Sequence, residues 1–341
     1  MTLLGHEAQE DAFLSAMRGS RLHHAWLLTG PKGVGKASFA RAAALRLLAE
    51  VADPGLGGAG LSVDPEHRIA RLFEARSHPD YRLVEREVWK KADELLPEDE
   101  RKGDETPARS IRVVQIRWLD RLLSVAPSLS ARRAIVIDTA DDMERPAANA
   151  LLKSLEEPPQ GTVFFLVSHM PGRLLPTIRS RCRLLRFSPL IEATMRVAVR
   201  RLLPDATDSE LDDYVAAGAG APGQALRAAE LDLPALDAAL ARIAATGDPD
   251  NAERLALVKT LAAKAAQPRY EAFLARALAV IAEQARVRRG AALDEAIALW
   301  GRARDLAGQA TGLSYDPQAT VFQMAGLVAQ LSSQEPRPFR A

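Results

Sequence analysis

The chain has 341 residues, 48% hydrophobic and 5% aromatic, a length that suits two or three domains and a composition that favours a helix-rich architecture. Lys and Arg number 45 against 44 Asp and Glu, so the free chain lacks the basic excess that drives non-specific nucleic-acid binding. A single cysteine excludes an internal disulfide or a cysteine-rich zinc site; with no run of about 20 apolar residues and no signal-peptide pattern, the expected compartment is the cytoplasm.

Ala8, Ala12, Phe13 and Met17 lie at helical spacing and predict an amphipathic helix within residues 1–24. His23 and His24 follow. They have no acidic or cysteine partner nearby and read as packing groups at a strand start rather than as metal ligands. Ala25-Trp26-Leu27-Leu28-Thr29 is a strand, and a helix is predicted from Ala37 to about Ala49. Between them stands Gly30-Pro31-Lys32-Gly33-Val34-Gly35-Lys36-Ala37. Strand, glycine-rich loop and helix are the context a P-loop requires. Its glycines let backbone N–H groups approach phosphate oxygens, the helix N-terminus adds positive potential, and Lys36 would reach the outer phosphates. The alternative is a glycine turn kept for its shape alone. A P-loop places Ser or Thr after the lysine to ligate Mg²⁺. Here that residue is Ala37, and Ser38 lies about 100° further round the helix. Nucleotide binding survives that change better than hydrolysis does.

Residues 51–70 are rich in Gly, Pro and Ala and read as loop; His78-Pro79-Asp80-Tyr81 leads into a strand from Tyr81 to Val84 with a structural role. Residues 85–109 carry alternating charges with Pro and Gly, and are expected to form a solvated, mobile insertion. Ile111, Val114, Trp118, Leu119 and Leu122 mark one side of a helix over 111–123. The apolar run Ala134–Ile137 ends on Asp138, a strand with a carboxylate at its carboxyl end. Ala148, Leu151, Leu152 and Leu155 form a helix face that Pro158-Pro159 terminates. Val163–Val167 is a further strand ending at Ser168, and a short helix leads to Ser180-Arg181-Cys182. Strand–helix–strand with polar groups at the carboxyl ends is where a parallel sheet presents its chemistry. Cys182 has no His–acid partner placed for it and reads as a small buried hydrophobe. Beyond Pro189 the pattern is helical, with segments near 233–245, 250–265, 268–288, 291–309 and 316–332; Asp316-Pro317 supplies an N-cap and a first-turn proline to the last.

Ala147-Ala148-Asn149-Ala150-Leu151-Leu152-Lys153-Ser154-Leu155-Glu156-Glu157-Pro158-Pro159, with Ser180-Arg181-Cys182 downstream, resembles the bacterial clamp-loader AAA+ subunits. The likeness reaches back to the first residues and, more faintly, forward to the last helix. It implies an α/β AAA+ domain with a P-loop and a parallel five-stranded sheet over residues 1–188, a small helical lid over 189–231 and an all-α collar over 232–341. In active relatives the strand ending at Asp138 continues Asp-Glu, the Asp holding Mg²⁺ through water and the Glu orienting the attacking water; here Thr139 follows. The second sensor arginine of active relatives falls at Gly223, and Arg227 is one turn too late to replace it. Many relatives carry a four-cysteine zinc module near 51–70; this chain has none of those cysteines, and no metal is expected. Ser168 stands where the family places a residue that touches the γ-phosphate. Arg181 corresponds to the arginine that reaches into a neighbour's ATP site. The other reading of Arg173, Arg179, Arg181, Arg183 and Arg186 is a solvated basic edge.

Three functional readings follow. The resemblance favours a clamp-loader subunit with ATP or ADP in a degenerate site at Gly30–Ala37, Asp138 and Ser168. It would supply Arg181 in trans and work with gamma/tau motor subunits, a delta subunit, the sliding clamp and primed DNA. Such a chain belongs to a DNA-directed DNA polymerase (nucleotidyltransferase) holoenzyme at the nucleoid, without polymerase activity of its own and with little intrinsic ATPase. The second reading is an active AAA+ motor of a clamp loader or DNA-remodelling complex, which needs the Mg²⁺ ligand and polarising acid missing at Ala37 and Thr139. The third, a P-loop kinase of a small molecule, needs a lid with paired arginines, which the sequence does not suggest.

Overall fold

Every residue of three apolar runs, Ala25–Thr29, Arg133–Ile137 and Thr162–Ser168, is buried, as expected of strands covered on both faces. The computed structural model describes residues 3–19, 22–58, 60–91, 94–95, 107–312 and 316–332. In chain order, α1 (Glu7–Arg18) precedes β1 (Ala25–Thr29), α2 (Lys36–Ala52) and α3 (Arg68–Glu74). Then come β2 (Tyr81–Val84), the short antiparallel pair β3 (Trp89–Lys91) and β4 (Glu94–Leu95), and α4 (Val113–Leu123). β5 (Arg133–Ile137), α5 (Arg145–Glu156), β6 (Thr162–Ser168), α6 (Pro176–Arg179), β7 (Arg183–Arg186) and α7 (Glu192–Leu202) follow. The all-helical remainder is α8 (Asp208–Gly218), α9 (Pro222–Glu230), α10 (Leu233–Thr246), α11 (Ala252–Leu261), α12 (Gln267–Val287), α13 (Ala291–Gly312) and α14 (Pro317–Ala329).

The chain forms two units, one from residues up to Asp205 with Gly218–Gln224, the other from Ala206–Ala217 and residues from Ala225 onward. The first is built on a five-stranded parallel sheet of order β2-β5-β6-β1-β7. Successive strand residues point to opposite faces. Trp26, Leu28, Val163 and Phe165 therefore meet Phe13 and Phe39 from α1 and α2, while Leu27, Phe164 and Leu166 meet Ile116, Leu119 and Leu151 from α4 and α5. The order puts β1 inside the sheet, so the loop that follows it opens beside the ends of β6 and β7.

Four of the five strands are where the apolar runs predict them. β7 was not among the predicted strands: Arg183-Leu184-Leu185-Arg186 buries only Leu185, and its partner Trp26–Thr29 is distant in sequence. α3 also went unpredicted, inside a stretch read as loop to residue 70. The loop before it is fastened from within: the fully buried Arg46 donates to Glu50, to the carbonyls of Leu56 and Gly57, and at 3.1 Å to that of Ser62. The expected insertion at 85–109 contains the β3–β4 pair, where Trp89 stacks on Trp118; residues 92–93 and 96–106 of it lie outside the described residues.

The structural role of His78-Pro79-Asp80 has a concrete form. Asp80 is fully buried and accepts the backbone N–H groups of Ser128 and Leu129, each at 2.7 Å, and of Ser130 at 3.3 Å. Buried Arg133 lies 3.8 Å from it and donates to the carbonyls of Leu122 and Val125. Together they fix the loop that delivers the chain into β5, and so the position of Asp138.

In the second unit the predicted helices appear within a few residues, except that the one expected over 250–265 stops at Leu261 before a single 3₁₀ turn at Lys264–Ala266. Leu236, Leu240, Leu257, Phe273, Leu274, Leu299, Met324 and Val328 share its core. α14 begins as predicted, with the Asp316 carboxylate capping the N–H groups of Gln318 and Ala319.

Candidate functional site

The loop Gly30–Gly35 joins β1 to the N-terminus of α2 with backbone conformations that require glycine. Gly30 has φ +148° and a Cβ there would lie 2.2 Å from the Phe187 carbonyl oxygen; Gly33 has φ +82°. Pro31 and Lys32 are exposed, while Val34 is buried in the core and anchors the loop. Beneath the loop, buried His6 donates from Nε2 to the Val34 carbonyl at 2.8 Å and packs edge-on against Phe187. A carbonyl only accepts, so Nε2 carries the proton.

Lys36 heads α2 and is buried. Its ammonium donates to the carbonyls of Gly30 and Pro31, both at 2.6 Å, and so lies folded onto the loop itself. Burial pushes its pKa down to about 8, against the pull of Asp138 and Asp141. The following methyl group of Ala37 offers no oxygen to a metal.

At the end of β5, burial raises the Asp138 carboxyl above its ordinary range, and the Thr139 hydroxyl donates to it at 3.2 Å. At the end of β6 the hydroxyl of fully buried Ser168 donates to Asp141 Oδ1 at 2.7 Å, while the backbone N–H groups of His169 and Met170 donate to the other oxygen of that carboxylate. Asp141 thus ties the ends of β5 and β6 together. His169 places Nε2 3.4 Å from the Thr139 hydroxyl; burial first, then Lys36, lowers its pKa and favours the neutral ring. Lys36, Asp138, Thr139, Ser168 and His169 therefore surround one end of the sheet.

The start of α9 seats directly on this loop. The Gly223 N–H donates to the Gly33 carbonyl at 2.9 Å, and the Gln224 side-chain amide reaches the Lys32 carbonyl at 3.4 Å. A Cβ on Gly223 would stand 2.9 Å from Gly33 Cα. Gly223, the position the resemblance matches to a sensor arginine, is thus a backbone-to-backbone contact with no room for a side chain.

Arg181 lies apart from that loop, after α6. Its guanidinium donates to the Thr177 carbonyl at 2.9 Å and pairs with Glu156, the last residue of α5, at 2.7 Å; its side chain is 34% exposed. The other arginines of the run differ: Arg179, Arg183 and Arg186 are exposed, and Arg183 lies over the Trp26 ring. Cys182 is a free thiol that burial pushes up to about 12, which leaves it unreactive at neutral pH. His23 and His24 stack on each other, and His24 donates to the Leu155 carbonyl at 3.1 Å.

Glycine cradle and helix N-terminus suit a phosphate chain. Ala37 offers no oxygen to Mg²⁺, and Thr139, beside the Asp138 carboxylate, is a neutral hydroxyl that cannot act as a base. Sequence reasoning placed Gly30–Ala37, Asp138 and Ser168, and the fold gathers them. It missed His6, Asp141, His169 and Gln224, whose roles come from long-range contacts; His169 alone carried a signal, as the residue directly after Ser168.

A family model described as DNA polymerase III, delta subunit matches residues 5–191, more than half of the chain. A DNA polymerase III subunit delta' from Pseudomonas aeruginosa is 37% identical over 220 residues, 64% of this chain and 60% of the relative. The subunit delta' of Escherichia coli K12 is 33% identical over 219 residues, 63% of this chain and 57% of the relative. A gamma/tau subunit from Mycobacterium tuberculosis H37Rv is 29% identical over 228 residues, 66% of this chain and 35% of the relative. The chain thus spans about three-fifths of the length of the two delta' relatives.

Proposed function

The chain belongs to the DNA polymerase III delta subunit family, and on that premise we infer that it acts as a delta'-type subunit of a clamp loader, one that does not hydrolyse ATP itself but offers Arg181 to the ATP site of a neighbouring subunit. One observation carries the reading: the Gly30–Lys36 loop keeps its glycine conformations and its lysine at the head of α2, while the positions that would handle Mg²⁺ and the attacking water carry Ala37 and Thr139. Such a loop would hold the phosphates of ATP or ADP through its backbone N–H groups, with Lys36 swung out from its carbonyl partners. Turnover there lacks a metal ligand and a polarising carboxylate. The partial exposure of Arg181, outside its own loop, supports a role on another chain's nucleotide. A guanidinium at that point stabilises charge developing on the transferred phosphoryl, an effect of about 10³–10⁵ in rate for arginine fingers in general.

The proposal includes gamma/tau motor subunits and a delta subunit as ring partners, and the sliding clamp and primed DNA as what the assembly handles, in the cytoplasm at the replisome. Domains at 1–188, 189–231 and 232–341 would serve as nucleotide-binding-type core, lid and oligomerising collar. Mixing the chain with motor and delta subunits tests this. The expected result is a single complex on gel filtration that loads the clamp onto primed DNA in the presence of ATP. A chain that stays apart from those subunits under all nucleotide conditions refutes it.

A further inference from the structure

Glu156 stands where helix chemistry does not ask for it. It is the last residue of α5, at the end where carbonyl groups concentrate negative potential and a carboxylate is disfavoured. The residues before it have packing roles: Leu155 and Ser154 are buried, and Ser154 donates to Asp120. Glu156 itself is about half exposed, and its one partner among the described residues is Arg181 at 2.7 Å. The arginine is held from the other side as well, where its second amino group donates to the Thr177 carbonyl at 2.9 Å and reaches the Ser180 hydroxyl at 3.4 Å. The guanidinium is thus gripped at both amino groups, by the end of α5 and by the neighbouring α6. Its Nε–H has no protein partner among the described residues.

An unrestrained arginine side chain has many rotamers, and most of that freedom is lost when the group is placed against an anion. A group fixed beforehand loses less, and more of its attraction is available to the transition state. With Thr177 and Ser180 on one amino group and one carboxylate oxygen on the other, Nε–H and the second N–H of the Glu156-facing amino group remain free to donate. We propose that Glu156 is a positioning residue for Arg181: it holds the guanidinium pointing outward, ready for the phosphates of a neighbour's nucleotide. The proposal rests on the in-trans reading of Arg181.

The test is steady-state ATP turnover by the complex reconstituted with motor and delta subunits, carrying wild type, Glu156→Ala, Glu156→Gln, Arg181→Ala or the Glu156→Ala/Arg181→Ala pair. Gel filtration first establishes that each variant assembles. Positioning predicts that Glu156→Ala lowers kcat about three- to ten-fold with KM unchanged, since the contact matters in the transition state. Glu156→Gln keeps an acceptor oxygen in place and restores kcat to within about two-fold. In the Arg181→Ala background, Glu156→Ala has no further effect. An unchanged or raised kcat in Glu156→Ala overturns the proposal, a rise meaning that Glu156 restrains the arginine instead. So does an equal loss with and without Arg181. If Arg181→Ala itself leaves turnover unchanged, the in-trans reading has failed, a result distinct from failure at Glu156 alone.

Discussion

Replacing Asp80 by alanine should unfasten the amino-terminal edge of the sheet, where the chain enters β2 and β5, without touching any nucleotide-facing group. Three N–H groups of the 128–130 loop lose their acceptor, and Arg133 is left buried without its counter-charge. The two losses differ in kind. Ser128 and Leu129 are exposed, so their N–H groups can turn to water, and the pair costs about 1–2 kcal/mol. Arg133 is 1% exposed and cannot, and an uncompensated buried charge costs about 3 kcal/mol or more. The expected destabilisation is about 4–5 kcal/mol, and about half that for Asp80→Asn, which keeps one acceptor oxygen. Trp26, Trp89 and Trp118 belong to the first unit and Trp300 to the second, so denaturant unfolding followed by fluorescence in a Trp300→Phe background reports the first unit by itself. Adding Arg133→Met to Asp80→Ala should recover at least about 1 kcal/mol, because the stranded charge is gone. A loss under about 1 kcal/mol in Asp80→Ala, or strict additivity of the pair, would refute the reasoning.

Lys36 gives a pH prediction. Its folded pKa near 8 lies below the ordinary 10.5, so between those values the unfolded chain binds more protons and stability rises with pH. The full effect is worth about 3 kcal/mol, and a Lys36→Met variant should lose that rise when unfolding is compared between pH 8 and 10. Gly223→Arg should lift the start of α9 off the loop, losing a backbone hydrogen bond and meeting Gly33, for about 2–4 kcal/mol by thermal unfolding, whereas an unchanged Tm means the contact is slack. Cys182, the chain's one cysteine, should react with a disulfide reagent at pH 7 only after denaturant is added, since a thiol near 12 is ionised in roughly one molecule in 10⁵.

What the sequence could and could not disclose follows from the range of the interactions. The P-loop was legible because its chemistry is contiguous: strand, glycines, lysine and helix occupy residues 25–49 without a break. β1, β5 and β6 were legible because burial on both faces leaves uninterrupted apolar runs. β7 was not, because an edge strand of four residues with two exposed arginines has no such signature; only pairing with Trp26–Thr29 makes it a strand. Asp141 could not be read locally, because the groups it receives, from Ser168, His169 and Met170, lie 27 to 29 residues away. Gly223 read as a missing arginine; the fold shows a glycine that the backbone of Gly33 demands. The partnership of Glu156 with Arg181 was hidden for the same reason, since the Glu-Glu-Pro-Pro run and the Ser-Arg-Cys triplet are each recognisable alone and nothing local joins them.

The central claim is tested most directly by ATP turnover, measured for the purified chain alone and then with stoichiometric motor and delta subunits, with wild type and Arg181→Ala side by side. The account predicts no turnover by the chain alone, stimulation in the mixture with wild type, and a clear drop in that stimulated rate with Arg181→Ala. Brisk hydrolysis by the isolated chain would contradict it, because Ala37 and Thr139 would then be no obstacle to catalysis.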